Sequence, residues 1–354
     1  MAEKPQFTAI GQGIPLKDAV EKVTGSLKYG LDVRLPGMVH GKILRSPHAH
    51  AKIKRIDTRR AETLPGVLGL VTHEDAPSWQ WENCWYNHRG RILDDTVRFV
   101  GDEVAAIAAV SEEIALEALR RIEVAYEMLA PVFDPMEARA ADAPQVRAEG
   151  NRRDPMKVIW GDIEEGARQA EVIVDGNMAF GSQAYAPIGR NACTASWDGD
   201  QVTVWTSTQT PSEMRDAIAK GLGIPISHVR VIAQPCGSSF GLWWIGSLQL
   251  ITALLAKKVG RPVKVELDQE ECFAAVKRRH QERSSGRLGC QRDGTLSFVE
   301  IEHVHDNGGY GFKPDVGFLI VDLWGGAPHG RYVVQGVSTN LVTAGCMRGV
   351  GDVT

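Results

Sequence analysis

The chain has 354 residues, enough for two domains with sizeable cores. Hydrophobic residues make up 43% and charged residues 24%, which excludes long disorder, and a formal net charge of -4 argues against nucleic acid as a partner. No apolar run approaches the length of a bilayer span, and the N-terminal "MAEKPQFTAIGQGIPLKDAV" has no apolar core of a signal peptide. The expectation is therefore a soluble, cytoplasmic chain without a membrane span.

In chain order, residues 15 to about 140 alternate short strands with one or two helices. "GKILRSPHAHAKIKRID" from Gly41 to Asp57 has strand-type alternation around a proline. "VRFVGDEVAAIAAV" from Val97 to Val110 is two apolar runs broken by a Gly-Asp turn. Ser111 caps a helix whose Ile114, Ala118, Leu119 and Ile122 share one face. Residues 141–160 are polar and irregular, and read as a linker between a first domain at 1–140 and a second at 161–354.

In the second domain Asp162 with Glu165 resembles a capping box, and "QVTVWTS" is a strand. Thr210, Pro211 and Glu213 have the pattern of a capped helix start. Then follow the strand "HVRVIA", the junction "QPCGSSFGLWW" from Gln234 to Trp244, and a helix ending at Gly260. "TLSFVEIEHVHD" adds an extended segment. The whole predicts an α+β chain.

Four features could carry chemistry. Gln209 lies where a strand runs out and a helix begins, the place where α/β sheets present ligand-binding groups. Its amide can donate to an oxo group or accept from a ligand, although loop glutamines more often face solvent. Gly237, Ser238, Ser239, Phe240 and Gly241 form a junction where backbone amides can approach a ligand; a tight turn is the plainer reading. Arg348, in the glycine-rich "CMRGVGDVT", suits a phosphate or carboxylate, or a surface acid. The pairs His48/His50 and His303/His305 would each face one side of a strand, and half-buried structural histidines outweigh a metal site. "KRRHQER", from Lys277 to Arg283, reads as a solvated charged face. The six cysteines form no Cys-x-x-Cys pair, so neither a zinc site nor an iron–sulfur cluster is expected in this chain.

At these residues the chain resembles the molybdenum-binding subunit of the xanthine dehydrogenase/aldehyde oxidase family. "DAVEKVTGSLKYGLDVRLPGMVHGKILRSPHAHAKIKRID" and "VRFVGDEVAAIAAVSEEIALEALRRIEVAYE" are similar to its a/b hammerhead domain. "TSTQT", the Gly-Ser-Ser-Phe-Gly junction, "HDNGGYG" and "TNLVTAGCMRGVG" are similar to its first molybdopterin-binding domain. The resemblance implies that Gln209 faces a metal oxo ligand. It places Gly237, Ser238, Ser239, Phe240 and Gly241 on the cofactor, with Phe240 at the family's phenylalanine, and Arg348 beside the metal. Asp306, Gly308 and Tyr310 match a structural turn.

Several residues depart from the family pattern. Leu242 and Trp243 replace Gly-Lys or Gly-Arg. Trp244 stands where purine-oxidising members carry a glutamate, and Gly189 stands at another glutamate position. Trp243 and Trp244 then form an apolar substrate wall, which implies an aromatic, heteroaromatic or aldehyde substrate hydroxylated with water as oxygen source. The implied cofactor is molybdenum-molybdopterin in its cytosine dinucleotide form, with iron–sulfur and FAD on other subunits. No metal ligand from this chain is implied. The family's subunit is longer than this chain. Members split between two polypeptides, such as nicotinate dehydrogenase, imply a second molybdopterin-binding chain that completes the site. A non-catalytic structural subunit and a reductive dehydroxylase are the alternatives.

Overall fold

A computed structural model describes residues 7–75, 80–83, 88–241, 247–311, 326–345 and 347. Its centre is a seven-stranded mixed sheet. Its strands run, in spatial order, Val229–Gln234, Gln201–Ser207, Ala192–Asp198, Val263–Glu266, Val39–Arg45, Glu103–Ala109 and Val67–Thr72. Strands from both domains of the chain thus share one sheet. Val39–Arg45 pairs in parallel with Val263–Glu266. The strand Glu103–Ala109 is buried from Val104 onward and rich in alanine, so neighbouring layers can approach it closely.

The helix Ser247–Val259 lies across this sheet and buries Leu248, Leu250, Ile251, Leu254 and Leu255 against it. The approach requires glycine at Gly41. A Cβ there would stand 2.6 Å from Val265 Cγ2 and 3.2 Å from Leu255 Cδ1. The helix ends as its sequence predicts, with Gly260 in the left-handed region at φ 63°. Ser111 caps Glu112–Leu119 by accepting from the Ile114 N–H, and Asp162 caps Ile163–Gln169 by accepting from the Glu164 and Glu165 N–H groups.

The helix Pro211–Leu222 differs from expectation. Thr210 sits at its N-cap but makes no side-chain cap. The Thr208 hydroxyl accepts the Thr210 N–H instead, at 3.1 Å, a local turn that replaces the capping box.

A second sheet has the order Val172–Phe180, Glu282–Cys290, Leu296–Asp306, His329–Val337 and Met156–Trp160. Its last strand lies within the stretch expected to be linker. A three-stranded sheet of Thr96–Val97, Ala51–Asp57 and Glu123–Met128 completes the first half.

The "KRRHQER" run is not the solvated face its composition suggests. Arg278, Arg279, His280 and Glu282 are all buried. Arg278 forms a buried ion pair with Asp306, whose side chain is 0% exposed. The pair survives burial because both members are otherwise satisfied. Asp306 Oδ1 accepts from the Gly308 N–H at 2.7 Å and from the Thr339 hydroxyl at 2.6 Å. Arg278 also donates to Val342 O at 2.9 Å and to Ser182 Oγ at 3.0 Å.

The histidine pairs separate. His48 precedes its strand, while His50 is buried with Nδ1 2.9 Å from Ala130 O. His303 and His305 lie on one strand, buried, opposite Ser284 and Glu282 in register. Ser284 Oγ lies 2.7 Å from His303 Nδ1, and the His280 and His305 rings are 5.0 Å apart. Burial lowers His303 to about 4 and His305 well below its ordinary value, and pushes Glu282 up to about 7. Among the described residues no group of three or more His, Cys, Asp or Glu could hold a metal ion.

This buried polar layer can be tested at two points. Replacing Asp306 by Asn leaves Arg278 a buried cation without its counter-ion, and should cost roughly 3–5 kcal/mol in denaturant unfolding of the purified protein. An unchanged midpoint would show that the pair is not buried. Glu282 keeps its proton in the folded chain up to about pH 7, whereas the unfolded carboxyl releases it in the ordinary glutamate range. The folded state then holds the extra proton, so this residue's contribution falls as pH rises between those values. The buried histidines act in the opposite sense, losing stability as pH falls below their unfolded value. Glu282→Gln should therefore gain on the wild type from pH 4 to pH 8, by roughly 3–4 kcal/mol at the upper end. Parallel pH profiles for the two proteins would refute the assignment.

Candidate cofactor site

Three segments meet at the carboxyl end of the strands Gln201–Ser207 and Val229–Gln234, which run parallel and in register. The first is Gln209. Its Oε1 accepts the Gly241 N–H at 2.9 Å, across 32 residues of sequence. That bond orients the amide, with Oε1 as the acceptor and Nε2 as the donor group. Gln209 is exposed at the edge of the sheet.

The second segment is the junction Gly237 to Gly241. Phe240 is held at φ 47° and Gly241 at φ 104°. A bulky residue in the left-handed region is strained, and such strain concentrates at functional loops. Of the three non-glycine residues with positive φ among the described residues, two flank this site: Phe240, and Ala186 at φ 43°.

The third segment is the loop from Ala184 to Arg190. Tyr185 is buried and stacks on Phe240, with ring centroids 6.5 Å apart and planes 22° from parallel. Around this stack pack Cys236, Val276 and Met347. Burial pushes the Cys236 thiol up, so it is a poor nucleophile. Gly189 faces Gly237 backbone to backbone. A Cβ built on Gly189 would lie 3.7 Å from the Gly237 Cα, and one built on Gly237 would lie 3.8 Å from the Gly189 Cα and 4.0 Å from Tyr29 Cε1. The two glycines keep a shallow cradle open that side chains would fill. Ser239 Oγ is buried beside it with no nitrogen or oxygen partner among the described residues.

The structure thus brings Gln209, Gly237, Ser238, Ser239, Phe240 and Gly241 together on one wall. Arg348, Trp243 and Trp244 lie outside the described residues. Met347, the neighbour of Arg348, packs in the same apolar cluster as Phe240. Sequence reasoning misses Tyr185 and Tyr29 as members of the wall. Tyr185 carries a usable signal, a large aromatic in a loop with Pro187 and Gly189, whereas Tyr29 carries none. An apolar hollow of about 250 Å³ lies elsewhere, on the five-stranded sheet, lined by Val174, Met178, Leu288, Ile301 and Tyr332.

Residues 24–130 match the aldehyde oxidase and xanthine dehydrogenase a/b hammerhead domain, and residues 146–354 match the molybdopterin cofactor-binding domain. A probable xanthine dehydrogenase component of Bacillus subtilis is 32% identical over 342 residues, which cover 94% of this chain and 46% of that protein. The nicotinate dehydrogenase large molybdopterin subunit of Eubacterium barkeri is 28% identical over 350 residues, covering 98% of this chain and 82% of that subunit. Quinoline 2-oxidoreductase from Pseudomonas putida 86 superposes with a TM-score of 0.87 at 26% identity, over 96% of this chain and 46% of that one. The chain spans about half the length, or less, of most of the curated relatives it matches. With both domains matched and the Gly-rich junction inside the second, the chain belongs to the aldehyde oxidase and xanthine dehydrogenase family, of which it carries the a/b hammerhead and molybdopterin cofactor-binding domains.

Proposed function

We propose that the chain is the molybdopterin-binding part of a molybdenum-dependent oxidoreductase. In this reading it hydroxylates an aromatic, heteroaromatic or aldehyde substrate, with water as the oxygen source. The observation that carries the reading is the glycine-rich junction itself, where Gly237 meets Gly189 backbone to backbone and Phe240 and Gly241 are held at positive φ, beside an amide that accepts the Gly241 N–H. The residues present fit the cofactor: a cradle free of side chains at Gly189 and Gly237, a buried hydroxyl at Ser239 bonded to the Cys236 thiol, and an amide at Gln209 held by the Gly241 N–H. When bound, molybdenum-molybdopterin supplies two-electron redox chemistry.

The chain's own residues bind and orient. Gln209 Nε2 donates to an oxygen of the cofactor, and the junction backbone lies against it. The Tyr185–Phe240 stack closes the apolar side and excludes water. Arg348 pairs with an anionic group of the cofactor, which we take to be the cytosine dinucleotide form. Trp243 and Trp244 form the substrate wall. Two relatives are named for nicotinate and for quinoline, both heteroaromatic, which favours that class of substrate.

In our reading a second molybdopterin-binding chain completes the site, a reading supported by the likeness to the Eubacterium barkeri large molybdopterin subunit, 82% of which the match covers. Iron–sulfur and FAD subunits carry the electrons away. No helix among the described residues is long and apolar enough to cross a membrane. We place the complex in the cytoplasm.

The test is purification of the tagged chain from its native host. One molybdenum and one cytosine nucleotide should be released per complex. Gln209→Ala and Arg348→Ala should each lower molybdenum content or turnover by about 10–100-fold, as loss of an orienting group near a metal does. A complex without molybdenum would sink the proposal. Unchanged turnover in both variants would reduce the chain to a structural role. An isolated chain that is fully loaded and active would remove the need for a second one.

A further inference from the structure

We infer that Arg279 is a positioning residue for the candidate site, holding the Met347 segment against the Tyr185–Phe240 wall. The inference rests on the molybdopterin reading above. Arg279 lies outside every motif that pointed to that reading.

Its geometry joins two of the segments that build the wall. The guanidinium donates from Nη2 to Met347 O at 2.7 Å, one residue before Arg348. Its Cζ stands 6.0 Å from the Phe180 ring centre, at the root of the 182–189 loop. Its backbone N–H donates to Gln183 O at 2.9 Å, and its carbonyl accepts from Ser182 Oγ at 3.1 Å. The same residue therefore grips the loop carrying Tyr185 with its backbone and the Met347 segment with its side chain.

Next to it, Arg278 pairs with Asp306 and receives the Gly345 N–H on its own carbonyl at 2.8 Å. Consecutive residues thus hold the two segments from opposite sides. A guanidinium suits this task. It is 9% exposed, always charged, and planar, so one nitrogen can bind a carbonyl while its face lies near an aromatic ring. Lysine would bring the charge but not the plane.

Arg279 acts on the cofactor through the segment it holds and makes no contact with substrate in this reading. Loss of the grip leaves the Met347 segment without its tether to the wall. Cofactor retention should then fall further than fold stability does.

The experiment compares Arg279→Gln, Arg279→Lys and Val304→Ala in the purified native complex. Val304 is a buried core residue of the same five-stranded sheet, and its truncation lowers stability without touching the Met347 segment. Two readouts are used: molybdenum and pterin retained through prolonged dialysis, and amide exchange at Ala344 and Gly345 in the same complex. Arg279→Gln should shed cofactor at least tenfold faster than wild type and raise both exchange rates at least tenfold. Arg279→Lys should fall between, and Val304→Ala should leave both readouts near wild type when compared at equal distance below its own Tm. Wild-type retention in Arg279→Gln would overturn the positioning role and leave the cofactor reading standing. Equal cofactor loss from Val304→Ala would show a merely structural effect and overturn it too. A wild-type complex that holds no molybdenum would overturn the cofactor reading itself, and this inference with it.

Discussion

The buried ion pair between Arg278 and Asp306 is the constraint on which the rest of the second half depends. Two charges removed from water cost several kcal/mol each unless every donor and acceptor finds a partner. Here the partners come from far apart in the chain. Asp306 is met by Gly308 and Thr339, and Arg278 by Ser182 and Val342. These partners are spread over several segments, so satisfying one pair of charges fixes where those pieces of chain must pass. They include the root of the Tyr185 loop and the approach to Met347. The candidate site is a by-product of that satisfaction: its walls stand where the buried charges require their backbones to be.

The two halves of the chain are joined by the same kind of device. Tyr310, in the turn just after Asp306, donates its hydroxyl to Asp102 at 2.8 Å. Asp102 also accepts the Arg98 N–H at 2.8 Å, and the Arg98 guanidinium lies 5.2 Å from the centre of the Tyr310 ring. Val39–Arg45 meanwhile pairs in parallel with Val263–Glu266. The hammerhead segment therefore contributes strands to the sheet that presents Gln209. Its contribution to the site is indirect but mechanical, because that sheet cannot shift its register without moving the strand ends that carry the junction.

Much of this architecture is legible residue by residue. Gln201–Ser207 is legible by strand alternation, buried and less buried in turn, because a half-buried strand has a period of two. Ser111 and Asp162 announce helix starts because a cap is a contact between residues two or three apart. Thr210 announces one too, yet its own N–H, which a capping box would give to Glu213, goes to the Thr208 hydroxyl: two acceptors compete for one N–H, and composition alone cannot say which wins. The period of two also places His303 and His305 on one strand face, and their neutrality follows from burial. "KRRHQER" misleads for the same reason that Thr210 does. A run of charges normally faces water, and only Asp306, Ser182 and Val342, distant in sequence, make it favourable for this one to be buried.

Local sequence carries most of the elements, the family resemblance and the residue types available to the site: an amide at 209, glycines at 237 and 241, an aromatic at 240. These depend on near neighbours and on local backbone preference, which a linear reading can follow. Only the tertiary structure decided that the Gln209 carbonyl would be taken by Gly241, that Phe240 would be forced to positive φ under Tyr185, and that two consecutive arginines would be buried as clamps. Each of those outcomes turns on desolvation. Whether a polar group may leave water depends on a partner that the fold alone brings within hydrogen-bond reach.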